Sequence, residues 1–280
     1  MQERTLISVD ALRALLQRGE RVVLLDCGFD LVDTAAGTRA HAQGHLPGAF
    51  HADLDRDLSS KKTGHNGRHP LPTRETFAKT VARWGVKPGV AVVCHDDQGG
   101  AYAARAWWML RWIGHDDVAV LDGGKAAWVA AGGALEPGVP PVDTAATPYP
   151  LGAASMPTLQ ADQLLGTTAP TIVDARSAER FRGEVEPLDP VAGHIPGARN
   201  RFHKDNLGAD GRFKPAAELR AAFAGLHADP ARVVHQCGSG VTACHNLLAM
   251  EHAGLKGSAL YPGSWSEWVA DPSRPVATGN

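Results

Sequence analysis

The sequence predicts an α/β protein of two tandem domains, each a mostly parallel sheet flanked by helices. Three observations carry that reading. Short apolar runs alternate with segments of helical period along the chain, the pattern of strands joined by crossover helices. Four landmarks each occur twice and in the same order, so one plan is written twice. The 280 residues, 44% hydrophobic and 21% charged, are long enough for two domains of common size and too apolar for a disordered chain.

In the first half, residues 9–16 read as a helix and 22–26 as a buried strand. Residues 77–84 are helical in period, 90–94 form an apolar run of strand length, 101–112 are again helical, and 118–121 make a strand. Within 101–112, Trp107, Trp108 and Trp112 form a stripe that reads as core or interface packing, given the apolar area each ring buries. In the second half, Val233 to Gln236 is a short apolar run and residues 243–250 read as a helix.

The repeated landmarks begin with Leu24-Leu25-Asp26, answered by Ile172-Val173-Asp174. Gly44-His45-Leu46-Pro47-Gly48-Ala49 returns almost unchanged as Gly193-His194-Ile195-Pro196-Gly197-Ala198. Val92-Val93-Cys94-His95-Asp96 aligns with Val233-Val234-His235-Gln236-Cys237. Leu121-Asp122-Gly123-Gly124, followed by Trp128, aligns with Tyr261-Pro262-Gly263-Ser264, followed by Trp268. Composition shifts at Glu136-Pro137-Gly138-Val139-Pro140-Pro141, and Pro-rich chain is stiff and extended. The expected domains are therefore residues 1–140 and 157–280, joined by a linker over 141–156. The Pro-Gly turns read as structural bends, because His45 and His194 occur in both halves and cannot be specific to one active site.

A net charge of -2 provides no global attraction for nucleic acid or an anionic membrane. Four cysteines, Cys27, Cys94, Cys237 and Cys244, are too few and too irregularly spaced for a disulfide framework, and no Cys-x-x-Cys pair suggests zinc. A reducing compartment fits this usage. Residues 1–10 lack an apolar stretch of signal-peptide length, and no apolar run reaches membrane-spanning length, so a cytoplasmic protein is expected.

Cys237 carries the chemistry. It ends an apolar run and opens Cys237-Gly238-Ser239-Gly240-Val241-Thr242, after which a helix begins. Glycines let successive backbone N–H groups turn inward, and a helix N-terminus adds partial positive charge, so a sulfur anion is favoured there. A lone buried cysteine is by itself a small hydrophobe in a core turn. Two glycines and a serine at a strand-to-helix junction favour the nucleophile instead, because ligands of parallel α/β sheets sit beyond the carboxyl ends of the strands.

The tandem plan, the paired Gly-His-hydrophobic-Pro-Gly-Ala turns and a Cys loop ending in Gly-Val-Thr together resemble the two-domain rhodanese-type sulfurtransferases, from about Leu6 to Val269. The loop looks like the version that uses 3-mercaptopyruvate, since thiosulfate-preferring members usually place Arg and Lys where this chain has Gly238 and Ser239. The resemblance implies transfer of sulfane sulfur through a Cys237 persulfide, with thiosulfate as the alternative donor. Asp96 stands at the matching position of the first half, which should therefore be catalytically silent.

The resemblance further implies a proton-handling set of Asp55, His69 and Ser239, a carboxylate orienting an imidazole that activates a hydroxyl. By the repeat, Asp55 and His69 belong to the first half and would reach Ser239 from it. Arg180 matches the family's substrate arginine, whose planar fork suits a carboxylate or sulfonate. Gly238, Gly240, Val241 and Thr242 complete the donor-binding loop, with no chemistry assigned to the side chains of Val241 and Thr242. Animal mercaptopyruvate enzymes carry a second arginine shortly after the first, where this chain reads Glu186-Pro187-Leu188-Asp189. Arg182, Arg199 or Lys204 are the candidates to replace it, and the sequence does not choose among them. Expected partners are a small-molecule sulfur donor and a thiol or cyanide acceptor, with a thioredoxin-like reductant among the thiols. No metal, cofactor, nucleic acid or membrane is called for.

Two other readings compete. Cysteine-dependent phosphatases share the strand, loop and helix but place an Arg six positions after the Cys; position 243 is Ala, and the loop lacks the residue that widens it for phosphate. A non-catalytic rhodanese-like interaction module is the third reading, and Cys237 and Ser239 argue against it for the second half.

Overall fold

The computed structural model of this chain describes residues 5–166 and 169–280. The first four residues, part of the stretch read above for a leader, lie outside the described residues. The first half forms β1 (Leu6–Ile7), α1 (Val9–Gln17), β2 (Val22–Asp26), α2 (Ala36–Gln43), β3 (Phe50–His51), α3 (Arg74–Arg83), β4 (Ala91–His95), α4 (Ala103–Trp112), β5 (Val118–Leu121) and α5 (Gly124–Ala130). The second forms β6 (Thr171–Asp174), α6 (Ala178–Arg182), β7 (Arg199–Asn200), α7 (Ala216–Phe223), β8 (Val233–Gln236), α8 (Ala243–His252), β9 (Ala259–Leu260) and α9 (Ser264–Trp268), with short 3-10 turns between.

Both sheets are parallel, ordered β1-β5-β4-β2-β3 and β7-β6-β8-β9. The central strands β4 and β8 are buried along their whole length, which is why they open on consecutive apolar residues rather than alternating ones before ending on His95 and on His235-Gln236. Ser8 Oγ accepts from the Ala11 N–H at 3.2 Å to start α1, and Thr73 Oγ1 accepts from the Thr76 N–H at 3.1 Å to start α3. The Thr73 cap places the start of α3 ahead of the expected residue 77, and Trp84 is its C-cap. Trp107 and Trp108 on α4 are fully buried, as packing residues should be.

The chain separates into two compact units. One runs to Ser60 and includes Pro72–Ser155 and Ala209–Phe213; the other holds Lys61–Leu71, Met156–Gly208 and Lys214–Asn280. The core of the first is built on Ile7, Leu12, Leu24, Val93, Leu121 and Trp128. That of the second is built on Leu164, Ile172, Val234, Tyr261, Trp265 and Trp268. The Pro-rich stretch lies along the first unit rather than hanging free, with Asp143 N–H bonded to Arg83 O at 3.0 Å and Tyr149 N–H to Ala78 O at 3.1 Å.

Segment 61–71 departs from the repeat boundary. Its Arg68 N–H donates to Ser266 Oγ at 2.9 Å, and Gly67 packs against Gly263, so its backbone is fastened to the start of α9. His69 therefore belongs with the second unit, whereas Asp55 stays in the first.

The paired turns repeat in detail. Ala49 N–H reaches Leu46 O at 2.9 Å and Ala198 N–H reaches Ile195 O at 3.0 Å, while His45 and His194 each form an antiparallel bridge, to Glu136 and Ala277. This is the structural role assigned to them from the repeat.

Several histidines lose enough solvent on folding that desolvation outweighs their charged neighbours. Burial lowers His235 to about 3 and His203 to about 4, and pushes His95 and His115 down as well. Their folded values lie below the unfolded value of 6.5, so the unfolded chain binds more protons as pH falls through 6.5 and stability is lost. Stability is fully present above that value. Each of His235 and His203 should cost about 2 kcal/mol at pH 5 relative to pH 8. Urea unfolding at the two pH values tests this: the midpoint should fall at pH 5, and equal midpoints would contradict the burial argument.

Candidate active site

The second unit places Cys237 immediately after β8, with loop 237–242 leading into α8. Its carbonyl accepts from the Trp265 N–H at 3.0 Å, and the Gly238 carbonyl accepts from the Ser266 N–H at 3.0 Å. The Cys237 N–H donates to Ser264 Oγ at 3.1 Å, and that hydroxyl donates onward to Tyr261 O at 2.9 Å. The start of α9 thus holds the cysteine's backbone from one side. Gly240 meets the same element, since a Cβ there would stand 2.3 Å from Pro262 O.

Ser264 has a φ of +53°, the left-handed region that disfavours side chains, and is alone in this among the described non-glycine residues. The repeat explains the position: the first unit has Gly124 there, with a φ of +59°. The second unit accepts local backbone strain and gains a hydroxyl bonded to the Cys237 amide. The substitution of Ser for Gly at one repeat position is the signal by which sequence reading could have found it.

The first unit shows what the loop amides bind. Asp96 Oδ1 accepts from the N–H groups of Gln98 and Gly100, and Oδ2 from those of Tyr102 and Ala103, all at 2.8 Å. A buried carboxylate therefore fills an amide nest at the start of α4. In the second unit the loop is one residue shorter and Cys237, 2% exposed, stands at the matching place. Among the described residues, the amides of Gly238, Ser239, Val241, Thr242 and Ala243 have no acceptor.

A 2.7 Å hydrogen bond joins His69 Nδ1 to Ser239 Oγ, and both side chains are buried. Two predicted residues distant in sequence are thereby brought together inside the second unit. Asp55 sits half-buried in the turn after β3 of the first unit.

Arg180, on α6, donates from Nη2 to Glu186 Oε1 at 2.6 Å and from Nε to Glu186 Oε2 at 3.2 Å, and lies 3.5 Å from Asp189 Oδ2. Arg176 is committed to Asp174, Glu186 and the Gly193 carbonyl and stacks on Trp265. Arg68 is paired with Asp189. Glu186 and Asp189, which stand where a second arginine was sought, are thus buried counter-charges for arginines. Of the substitutes, Arg182 pairs with Glu184 at 2.7 Å, Arg199 donates to Gly225 O at 2.8 Å, and Lys204 is exposed on the 3-10 turn His203–Asn206. Arg68 reaches Asp189 from far away in sequence, in a segment whose packing only the folded chain reveals. Among the described residues no group of three or more His, Cys, Asp or Glu side chains could hold a metal ion.

Two parallel α/β units, one of which ends its central buried strand on a cysteine in an amide-lined loop, have the construction of rhodanese-type domains. The profile of the Rhodanese-like domain matches residues 8–131 and 158–271, and the chain belongs to this family. It is 48% identical, over the full length of both chains, to a Pseudomonas aeruginosa protein named "Probable 3-mercaptopyruvate sulfurtransferase". It is 42% identical over 100% of this chain and 99% of the other to a Mycobacterium tuberculosis protein that bears a thiosulfate sulfurtransferase name. Among solved structures, the 3-mercaptopyruvate sulfurtransferase from Leishmania major superposes with a TM-score of 0.82 at 34% identity, covering 95% of this chain and 75% of that one.

Proposed function

We propose that this chain is a sulfurtransferase that moves sulfane sulfur from 3-mercaptopyruvate to a thiol or cyanide acceptor through a persulfide on Cys237. The observation that carries the donor is the His69–Ser239 hydrogen bond beside the cysteine loop. A carbonyl donor needs a proton-handling pair; a donor without a carbonyl does not.

The Cys237 thiolate attacks the donor sulfur, a new S–S bond forms, and the C–S electron pair passes into the pyruvate enolate. Ser239, polarised by His69, donates to the donor's carbonyl oxygen as that charge develops, and the enolate carbon takes up a proton to give pyruvate. The loop amides hold the persulfide anion, the task that the corresponding amides of the first unit perform for the Asp96 carboxylate. An acceptor thiolate or cyanide then attacks the outer sulfur, takes it, and releases the Cys237 thiolate. Arg180 binds the donor's carboxylate. Gly238, Gly240, Val241 and Thr242 contribute backbone to the loop, and Asp55 is assigned as the carboxylate that orients His69 on the family resemblance.

The first unit, with Asp96 in place of a thiol, carries no sulfur. A thioredoxin-like dithiol is a fitting acceptor because a soft, low-pKa thiol attacks sulfur readily. A cytoplasmic location accords with four free cysteines and with the absence, among the described residues, of any helix long and apolar enough to cross a membrane.

Thiosulfate is the second reading, favoured by the name of the Mycobacterium tuberculosis relative. The Cys237 step is the same, with sulfite leaving on the S–S electron pair, but Ser239 and His69 then have no carbonyl to act on. Comparison of kcat/KM for the two donors decides between them. We expect 3-mercaptopyruvate to be favoured by at least about tenfold, the worth of one hydrogen bond to a charged group; a preference for thiosulfate would overturn the donor assignment.

A further inference from the structure

We propose that Ser264 is a positioning residue for sulfur transfer, a hydroxyl that fixes the backbone of Cys237 and so the aim of its sulfur; this rests on the Cys237 persulfide of the reading above. A contrast between the two units points to it first. Asp96 is pinned by its own side chain, which accepts four backbone N–H bonds at 2.8 Å. Cys237, at the matching place, makes no side-chain hydrogen bond among the described residues, so its aim depends on its two peptide groups. The start of α9 holds both: the Trp265 N–H donates to the Cys237 carbonyl at 3.0 Å, and Ser264 Oγ accepts from the Cys237 N–H at 3.1 Å.

The hydroxyl is itself held. Ser264 is fully buried and its Oγ donates to Tyr261 O at 2.9 Å, while the Tyr261 N–H donates to the His235 carbonyl of β8 at 2.9 Å. The Cys237 amide is thus tied back, through two residues, to the strand that carries the cysteine. With its proton on Tyr261 O and a lone pair on the Cys237 N–H, the hydroxyl has one orientation to adopt.

The third observation is the backbone. Ser264 has a φ of +53°, a conformation that glycine adopts freely and a side chain does not. The first unit makes the same turn with Gly124 at a φ of +59°, where a Cβ would stand 1.9 Å from Asp96 O and no side chain fits. Glycine would serve the turn of the second unit without strain. A side chain kept at such a position, with a hydroxyl that accepts from the amide of the nucleophile, has that bond as its role.

Two variants test this in the full chain. Ser264→Gly removes the hydroxyl and the strain; Ser264→Ala removes the hydroxyl and keeps the strain. In single-turnover mixing with 3-mercaptopyruvate or thiosulfate, persulfide formation should slow by about tenfold or more in both variants and with both donors, the effect of lost aim at a reacting atom. The inhibition constant of pyruvate should stay within about twofold of the wild type, because the donor site is intact. The thermal midpoint of Ser264→Gly should exceed that of Ser264→Ala by roughly 2–4 °C, so that equal rate losses in proteins of unequal stability separate aim from general loosening. An unchanged rate in Ser264→Gly, or pyruvate binding that weakens in step with the rate, overturns the proposal, and the glycine variant decides alone if the alanine variant folds poorly. A wild type that forms no persulfide with either donor would instead sink the sulfur-transfer reading, and the positioning with it.

Discussion

Replacing Cys237 with serine should abolish sulfur transfer from 3-mercaptopyruvate and from thiosulfate alike, a loss of at least about a thousandfold. A serine hydroxyl is a poor nucleophile toward divalent sulfur at neutral pH and cannot carry a persulfide. The side chain is nearly isosteric, and the neighbouring contacts use the residue's backbone, its N–H on Ser264 and its carbonyl on Trp265. The loss should therefore come with a thermal midpoint close to that of the wild type. Retained turnover would show that sulfur does not pass through Cys237, whereas a wild type without turnover of either donor would leave the non-catalytic module standing.

The second large effect concerns the pair Ser239 and His69. Ser239→Ala and His69→Ala should each lower kcat/KM for 3-mercaptopyruvate by about a hundredfold or more, the range of a positioned general acid. Thiosulfate turnover should fall much less, because sulfite departs without protonation. The double variant should lose little more than either single one, since the 2.7 Å bond makes the two groups act as a unit. Equal losses with both donors would remove the pair from the mechanism and leave it a buried packing contact.

The legible parts of the fold were those with an apolar signal of their own. Strands β2, β5 and β8 fall where their Val, Leu and Ala runs stand, because both faces of a parallel sheet are covered; polar residues enter only at the carboxyl ends, as Asp26 in β2 and His235-Gln236 in β8. Helix α2 was missed because Ala36–Gln43 turns only Gly37 and His41 inward and carries no hydrophobic face. The two-residue edge strands β3 and β7 are too short for any period to register.

The site divides in a similar way. Cys237, Ser239 and the glycines form one contiguous loop, so local chemistry announces them. His69 and Ser264 act through contacts made only in the folded chain: His69 reaches Ser239 through the fastening of residues 61–71 to α9, and Ser264 depends on a left-handed turn that brings its hydroxyl to the Cys237 amide. The duplication makes up part of this deficit. Comparing Asp96 with Cys237 reveals the amide nest, and comparing Gly124 with Ser264 reveals the position that tolerates strain.

The persulfide on Cys237 is the central claim, and mass spectrometry of the protein after exposure to 3-mercaptopyruvate without an acceptor tests it directly. The wild type should gain the mass of one sulfur atom, located on the peptide that contains Cys237, and lose it when cyanide is added. A sulfur adduct on Cys27, Cys94 or Cys244, or an adduct that persists in Cys237→Ser, would contradict it.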